Sequence, residues 1–193
     1  MAEIESILSR LARAFNAAKL KHVIVGGIAV IHYGHVRTTQ DIDLIIEDDS
    51  SKISQFIGLL RTYDFDVMDD QINMALQERT HASIFDNRSY LRLDITVAHE
   101  KHEIDVLEHG IKKNILGCEL FIAPLEYVLI GKILFIGRID DIPDSELLEY
   151  QDIFDFLTLY HSNKEDIDMI ILERRVKELG LESTLNRLKS IQL

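Results

Sequence analysis

Val25–Ile46 reads VGGIAVIHYGHVRTTQDIDLII, and two features in it decide the fold. A β-branched run, HVIV at residues 22–25, is halted by Gly26 and Gly27. After a short apolar segment and a polar turn, QDIDLIIE at residues 40–47 places two aspartates, Asp41 and Asp43, inside an otherwise apolar strand. Residues i and i+2 of a strand point to one face, so both carboxylates project together while Ile42 and Leu44 go to the other. Two like charges held this close repel unless something positive lies between them. A divalent cation is the economical partner, because Mg²⁺ takes oxygen ligands from one or two carboxylates together with water and phosphate.

Asp-x-Asp alone is weak evidence, since it recurs at Asp64/Asp66 and Asp166/Asp168. The second of these lies where a helix begins, a position that favours acids through the helix dipole. Asp64 and Asp66 alternate with Tyr63, Phe65 and Val67, as in a half-exposed strand. Asp94, in LRLDITVA, shares its strand face with Arg92 and Thr96, opposite Leu91, Leu93, Ile95 and Val97. If that strand lies beside the first, three carboxylates converge, the ligand set of two-metal phosphoryl chemistry. The glycine pair, a strand ending where a helix opens, lets backbone approach a ligand closely and turns free N–H groups toward an anion.

Working outward, residues 4–18 carry Ile4, Ile7, Leu8, Leu11 and Phe15 at helical spacing. IAVIHY reads as a short helix stopped by Gly34, residues 51–62 as a helix, and 63–68 as an edge strand. ASIFD and YLRLDITVA read as strands around NRS, and residues 104–109 stay ambiguous. KKNILGCELFIA suggests a hairpin or a strand ending at Pro124, which suits the first turn of a helix through LEYVLIGKILF. From Ser145 onward the pattern is helical. The expectation is an α+β fold, with a β-containing N-terminal part, residues 1–123, followed by a helical C-terminal region, 124–193.

The 193 residues suit one compact domain or one with a small appendage. Net charge is −12 and uneven: five basic and two acidic residues over 1–40, six and sixteen over 41–110, ten and fifteen over 111–193. Such acidity disfavours a broad phosphate-backbone footprint but leaves room for metal ions among the carboxylates. Cys118 is the single cysteine, and the apolar runs are short of the roughly 20 residues needed to span a bilayer. A soluble cytoplasmic protein without membrane partners is expected.

The arrangement G-G, short helix, R-x-T-x-D-I-D resembles the nucleotidyltransferases of the DNA polymerase β-like superfamily. Its nearest likeness is to small prokaryotic members that include the AbiEii-type abortive-infection toxins. The later Asp94 in RLDITV, Lys132 and Arg138 in PLEYVLIGKILFIGR, and Asp152 and Asp155 in YQDIFDFL continue the pattern, over residues 20–160. The resemblance implies a nucleotidyltransferase fold, a mixed β-sheet flanked by helices. It implies Mg²⁺ or Mn²⁺ bound by Asp41, Asp43 and Asp94, the last also accepting a proton from the acceptor hydroxyl. Gly26 and Gly27 would hold the β/γ-phosphates of a nucleoside triphosphate and Lys132 would neutralise them. Arg37 and Thr39 would lie near the nucleotide, with Asp152 and Asp155 orienting Lys132 or Arg138. The residues themselves leave other readings open: Arg37 as the lock of its turn, Asp152 and Asp155 as a plain helix salt bridge. The implied acceptor is a protein side chain, a small molecule such as an aminoglycoside, or a tRNA end, and the implied protein partner an antitoxin or a second copy. The alternative is a nucleotide- or partner-binding module of the same fold without turnover.

Overall fold

The computed structural model describes residues 2–191. The chain divides into two compact units. The first runs through Ile28 and resumes over Thr38–Ala123, and the second takes Ala29–Arg37 and the chain from Pro124.

The first unit is built on a seven-stranded mixed sheet. Its strands are β1 (His22–Ile24), β2 (Asp41–Ile46), β3 (Phe65–Asp66), β4 (Ala82–Asp86), β5 (Arg92–Val97), β6 (Ile111–Ile115) and β7 (Cys118–Ile122), in the order β3-β4-β5-β2-β1-β7-β6. β2 pairs parallel with β5 and β1 with β7, and the remaining pairs are antiparallel. In β2 and β5 every second residue is buried. Ile42, Leu44 and Ile46 and, beside them, Leu93, Ile95 and Val97 form one apolar surface. On this side lie α3 (Ser50–Thr62) and α4 (Asp69–Glu78), whose Ile53, Ile57, Ile72 and Ala75 line a small apolar cavity together with Ile46, Ile84, Ile95 and Val97. Burying such side chains contributes about 1.5–3 kcal/mol each, which fixes β2 and β5 with their aspartates on the opposite face.

α1 (Ala2–Ala18) packs on α3 and β7, and α5 (Lys101–His109) on β1 and β2. Arg10 of α1 reaches the sheet edge, where it donates to Asp86 Oδ1 at 2.7 Å and to the Tyr63 carbonyl at 2.9 Å and stacks over Phe65. α4 is a helix where the sequence reading assigns no element, and α5 resolves the ambiguous residues 104–109. Each is short and interrupted by acidic residues, so its apolar periodicity is diluted: among the described residues only Ile72 and Ala75, and Val106 and Leu107, are buried. The β6–β7 hairpin resolves the open reading of KKNILGCELFIA. The glycine pair lies inside the first turn of α2 (Gly26–His32) and not ahead of it.

His22 in β1 is stacked on Phe15, with ring centroids 3.6 Å apart, and edge-on to Phe121. Its Nδ1 lies 3.1 Å from the Leu20 carbonyl, an acceptor only, so that nitrogen carries the proton of a neutral ring. Burial lowers its pKa to about 4, against a smaller opposing effect of that hydrogen bond. A ring that binds its proton less tightly when folded stabilises the fold fully above the unfolded value of about 6.5 and loses that contribution as pH falls toward 4. The difference corresponds to about 3 kcal/mol. We expect urea unfolding midpoints to fall between pH 6.5 and 4, and His22→Phe to flatten that slope; an equally steep slope in the variant refutes the assignment.

The second unit is helical: α6 (Leu125–Ile136), α7 (Asp144–Leu147), α8 (Gln151–Ser162), α9 (Met169–Glu178) and α10 (Glu182–Ser190). α6 packs on α8 and α9, and α10 on both α8 and α9. Asp168 caps α9, accepting from the Ile170 and Ile171 amides, the reason for an acid at that helix start. The helical pattern expected from Ser145 is interrupted at residues 148–150, between α7 and α8. Among the described residues no helix is long and apolar enough to cross a membrane.

Candidate functional site

Parallel pairing of β2 with β5 sets Asp43 level with Asp94 and Asp41 level with Arg92. Because the pairing is in register, all four side chains belong to one face, opposite the buried Ile42, Leu44 and Leu93. Ser83 of β4 completes the row, level with Asp94 on its other side, and its hydroxyl donates to Asp94 Oδ1 at 2.5 Å. Thr39 Oγ1 donates to Asp41 Oδ1 at 2.7 Å, with the Asp41 carbonyl at 3.1 Å, so the turn before β2 fixes the first carboxylate. The Thr39 hydroxyl is thereby engaged with Asp41.

Gly26 is required here by Asp43. Its φ of +58° is left-handed, and a Cβ placed on it would lie 1.8 Å from Asp43 Oδ2. The next amide, Gly27 N–H, donates weakly to that same oxygen at 3.4 Å. The glycine that opens α2 therefore makes room for a carboxylate from β2. Gly26→Ala has to displace Asp43 and hold a strained backbone, at a cost of about 1–2 kcal/mol for the backbone alone. We expect a lowered unfolding midpoint and, at matched folded fraction, at least a tenfold loss of any activity that depends on Asp43; unaltered stability refutes the crowding argument.

The cation among these carboxylates is Arg92. Its Nε donates to Asp94 Oδ2 at 2.9 Å and its Nη2 to Asp41 Oδ2 at 3.3 Å, so one guanidinium spans neighbouring strands. The hydrogen bond and charge of Asp94, acting against a little desolvation, raise the Arg92 pKa, and the charges of Asp41 and Asp43 add to them. Among the described residues no group of three or more His, Cys, Asp or Glu side chains is gathered so as to hold a metal ion as they stand. The sequence pattern puts Arg92 on the right face but does not reveal this bridge, since the register that brings it to Asp41 is a long-range property. Ser83 gives no signal in the sequence at all.

The remaining expected residues belong to the helical unit. Lys132 of α6 is buried and its ammonium lies 2.7 Å from both Asp152 Oδ1 and Asp155 Oδ2 of α8. Asp155 is fully buried and also takes Arg37 and the Gln151 amide, with His35 Nδ1 at 3.0 Å. Burial alone would raise the Asp155 carboxyl, but the hydrogen bond and charge of Lys132, with Gln151 and the charge of Arg37, hold it below the usual carboxylate range. Of the two readings of Arg37, an acid partner is present, and it comes from α8 and not from the turn itself. Asp152 and Asp155 both meet Lys132, from one face of α8.

The family described as "Nucleotidyltransferase of unknown function (DUF6036)" matches residues 2–105, a span holding Gly26, Gly27, Asp41, Asp43 and Asp94. No curated protein sequence matches the chain. Among solved structures, the solution structure of the antibiotic-resistance factor ANT(2'')-Ia is similar at a TM-score of 0.57 and 14% identity, covering 97% of this chain and 100% of that one. The crystal structure of ANT(2'')-Ia with adenylyl-2''-tobramycin is similar at a TM-score of 0.59 and 13% identity, covering 92% and 99%. An antigenic nucleotidyltransferase-like protein from Paracoccidioides brasiliensis is similar at a TM-score of 0.57 and 19% identity, covering 98% and 94%. At these identities the likeness is one of fold, and the α+β nucleotidyltransferase architecture is shared.

Proposed function

The chain belongs to the DUF6036 nucleotidyltransferase family, and we propose on that premise that it moves a nucleoside monophosphate from a nucleoside triphosphate to an acceptor hydroxyl, releasing pyrophosphate. The observation that carries the reading is the level placement of Asp43 and Asp94 on adjacent parallel strands, with Asp41 on the same face. We assign the catalytic core to residues 1–123 and treat 124–193 as its helical companion.

The donor chemistry suits a divalent cation, carboxylate oxygens being ligands for Mg²⁺ or Mn²⁺; as they stand the three carboxylates are not gathered around a metal position, and a guanidinium takes the place of positive charge among them. Asp41, Asp43 and Asp94 would hold the metal. When bound, such ions polarise the phosphoryl group and favour the attacking hydroxyl in its ionised form. In our reading, Asp94 Oδ takes the proton of the acceptor hydroxyl, and Ser83 keeps that carboxylate aimed. The acceptor oxygen bonds to the α-phosphorus, the bond from that phosphorus to the bridging oxygen breaks, and pyrophosphate leaves with the electron pair. We assign the backbone amides at Gly26 and Gly27 to the phosphates, the Cβ side of Gly26 being taken by Asp43. In the helical unit we assign Lys132 to charge neutralisation of the triphosphate, with Asp152 and Asp155 orienting it and Arg37 held by Asp155. Positioning and charge supply most of the rate in phosphoryl transfer.

The acceptor we favour is a small polyhydroxylated molecule. In support, ANT(2'')-Ia, which shares the fold, is described with an adenylylated aminoglycoside, and an excess of acid suits a cationic acceptor. A protein side chain or a tRNA end, and an AbiEii-type toxin role with an antitoxin partner, are the other acceptors and setting to test. The experiment is incubation with each labelled triphosphate and Mg²⁺ or Mn²⁺, alone and with an aminoglycoside panel, tRNA or cell protein. Pyrophosphate release with label on one acceptor class supports the reading. One observation favours a second reading, a binding module without turnover: Arg92 already neutralises two of the three carboxylates. Tight nucleotide binding with no pyrophosphate from any acceptor would select it.

A further inference from the structure

We propose that Arg92 sets the cation requirement of the carboxylate face: it makes divalent-metal binding depend on nucleotide, by acting as the resident counter-ion that a free metal must displace. The inference rests on the transferase reading and adds to it an order of binding.

Three facts carry it. The guanidinium bridges Asp41 and Asp94, two of the three carboxylates assigned to the metal, through separate nitrogens at 3.3 and 2.9 Å. Both oxygens of each of these carboxylates are engaged, Asp41 Oδ2 and Asp94 Oδ2 by the guanidinium and the other oxygen of each by a neutral hydroxyl, Thr39 or Ser83, so a metal would have to compete for them. The arginine side chain is 42% exposed, against 15% for Asp94, so it is the partner able to swing into solvent without disturbing the sheet.

The chemistry follows from charge and geometry. Without Arg92, three carboxylates on one face repel one another and a free cation relieves that repulsion. With Arg92 in place part of the repulsion is already relieved, and a free cation has to break two charge-assisted hydrogen bonds before it gains its own ligands. A cation that arrives on a triphosphate brings ligands with it and meets the carboxylates as a partly coordinated ion, as Mg²⁺ commonly does. The exposure of Arg92 means that solvent screens the competition, so the expected effect is about tenfold in affinity.

The test is direct binding of Mn²⁺, followed by electron paramagnetic resonance and by calorimetry, for the full chain and for Arg92→Met, with and without a non-hydrolysable triphosphate analogue. The wild-type protein is expected to bind free Mn²⁺ weakly and to gain at least tenfold when the analogue is present. Arg92→Met is expected to bind free Mn²⁺ about tenfold more tightly than wild type with no analogue, leaving a smaller gain from nucleotide. Arg92→Lys, which keeps the charge but not the fork, should fall between them. Arg92→Gln should rank with the Met variant, which keeps the test intact if the latter does not fold. Equal or weaker Mn²⁺ affinity in the folded Met or Gln variant, with wild-type uptake in the presence of analogue intact, overturns the role of Arg92 and leaves the transferase reading standing. No Mn²⁺ uptake by wild type or by any variant, with analogue or without, overturns both.

Discussion

Asp41→Asn and Asp43→Asn are each expected to lower nucleotidyl transfer by about a thousandfold, roughly 4 kcal/mol of barrier, while leaving the fold intact. The change is isosteric and removes only charge. At position 41 the amide oxygen can still accept from Thr39, so the turn into β2 keeps its lock. At position 43 the close packing against Gly26 is preserved because shape is preserved. What is lost is a negative oxygen on the face where divalent cations are proposed to bind, and with it the charge stabilisation that such a site would supply. The measurement is pyrophosphate release and label transfer, with unfolding midpoints as the control. Release that continues in both variants at the wild-type rate would rule out metal-assisted transfer at this face.

Asp155→Ala carries the largest expected effect on stability. The carboxylate is fully buried and gathers Lys132 and Arg37, with His35 close by, all within the helical unit. Removing one member of a buried ion pair leaves its partners charged and unsolvated, at about 3–5 kcal/mol. Lys132 keeps Asp152 and Arg37 is partly exposed, which places the expectation near the lower end of that range. Urea denaturation followed by circular dichroism reads the loss, and pairing the change with Lys132→Met should recover part of it, since the stranded charge goes too. Two additive destabilisations would show that the ion pair is not the cause. The same carboxyl gives a pH signature. Its folded pKa lies below the unfolded value near 4, so its contribution is complete above pH 4 and is lost as pH falls through the folded pKa. The wild-type protein should therefore lose stability below pH 4 more steeply than Asp155→Ala does.

Much of the carboxylate face could be read in the chain because strand alternation is local. Asp41 and Asp43 share a face for the same covalent reason that Ile42 and Leu44 share the other, and Asp94 follows by the same rule within β5. Gly26 was legible as a position where backbone needs freedom, but not the reason, which is the carboxylate of Asp43 on the next strand. The α4 and α5 helices escaped the pattern because acidic residues interrupt their periodicity, so that tertiary burial of a few side chains, and not an apolar stripe, decides them.

By itself, then, the sequence determined the α+β class and the nucleotidyltransferase likeness, through its motifs, and which side chains share each strand face, through backbone geometry over a few residues. Only the tertiary structure decided the partners. Strand register placed Arg92 across Asp41 and Ser83 against Asp94. Helix packing brought Asp155 to Arg37, 118 residues away. Which charges meet depends on how distant segments are aligned by burial of their apolar sides, and no local spacing encodes that alignment.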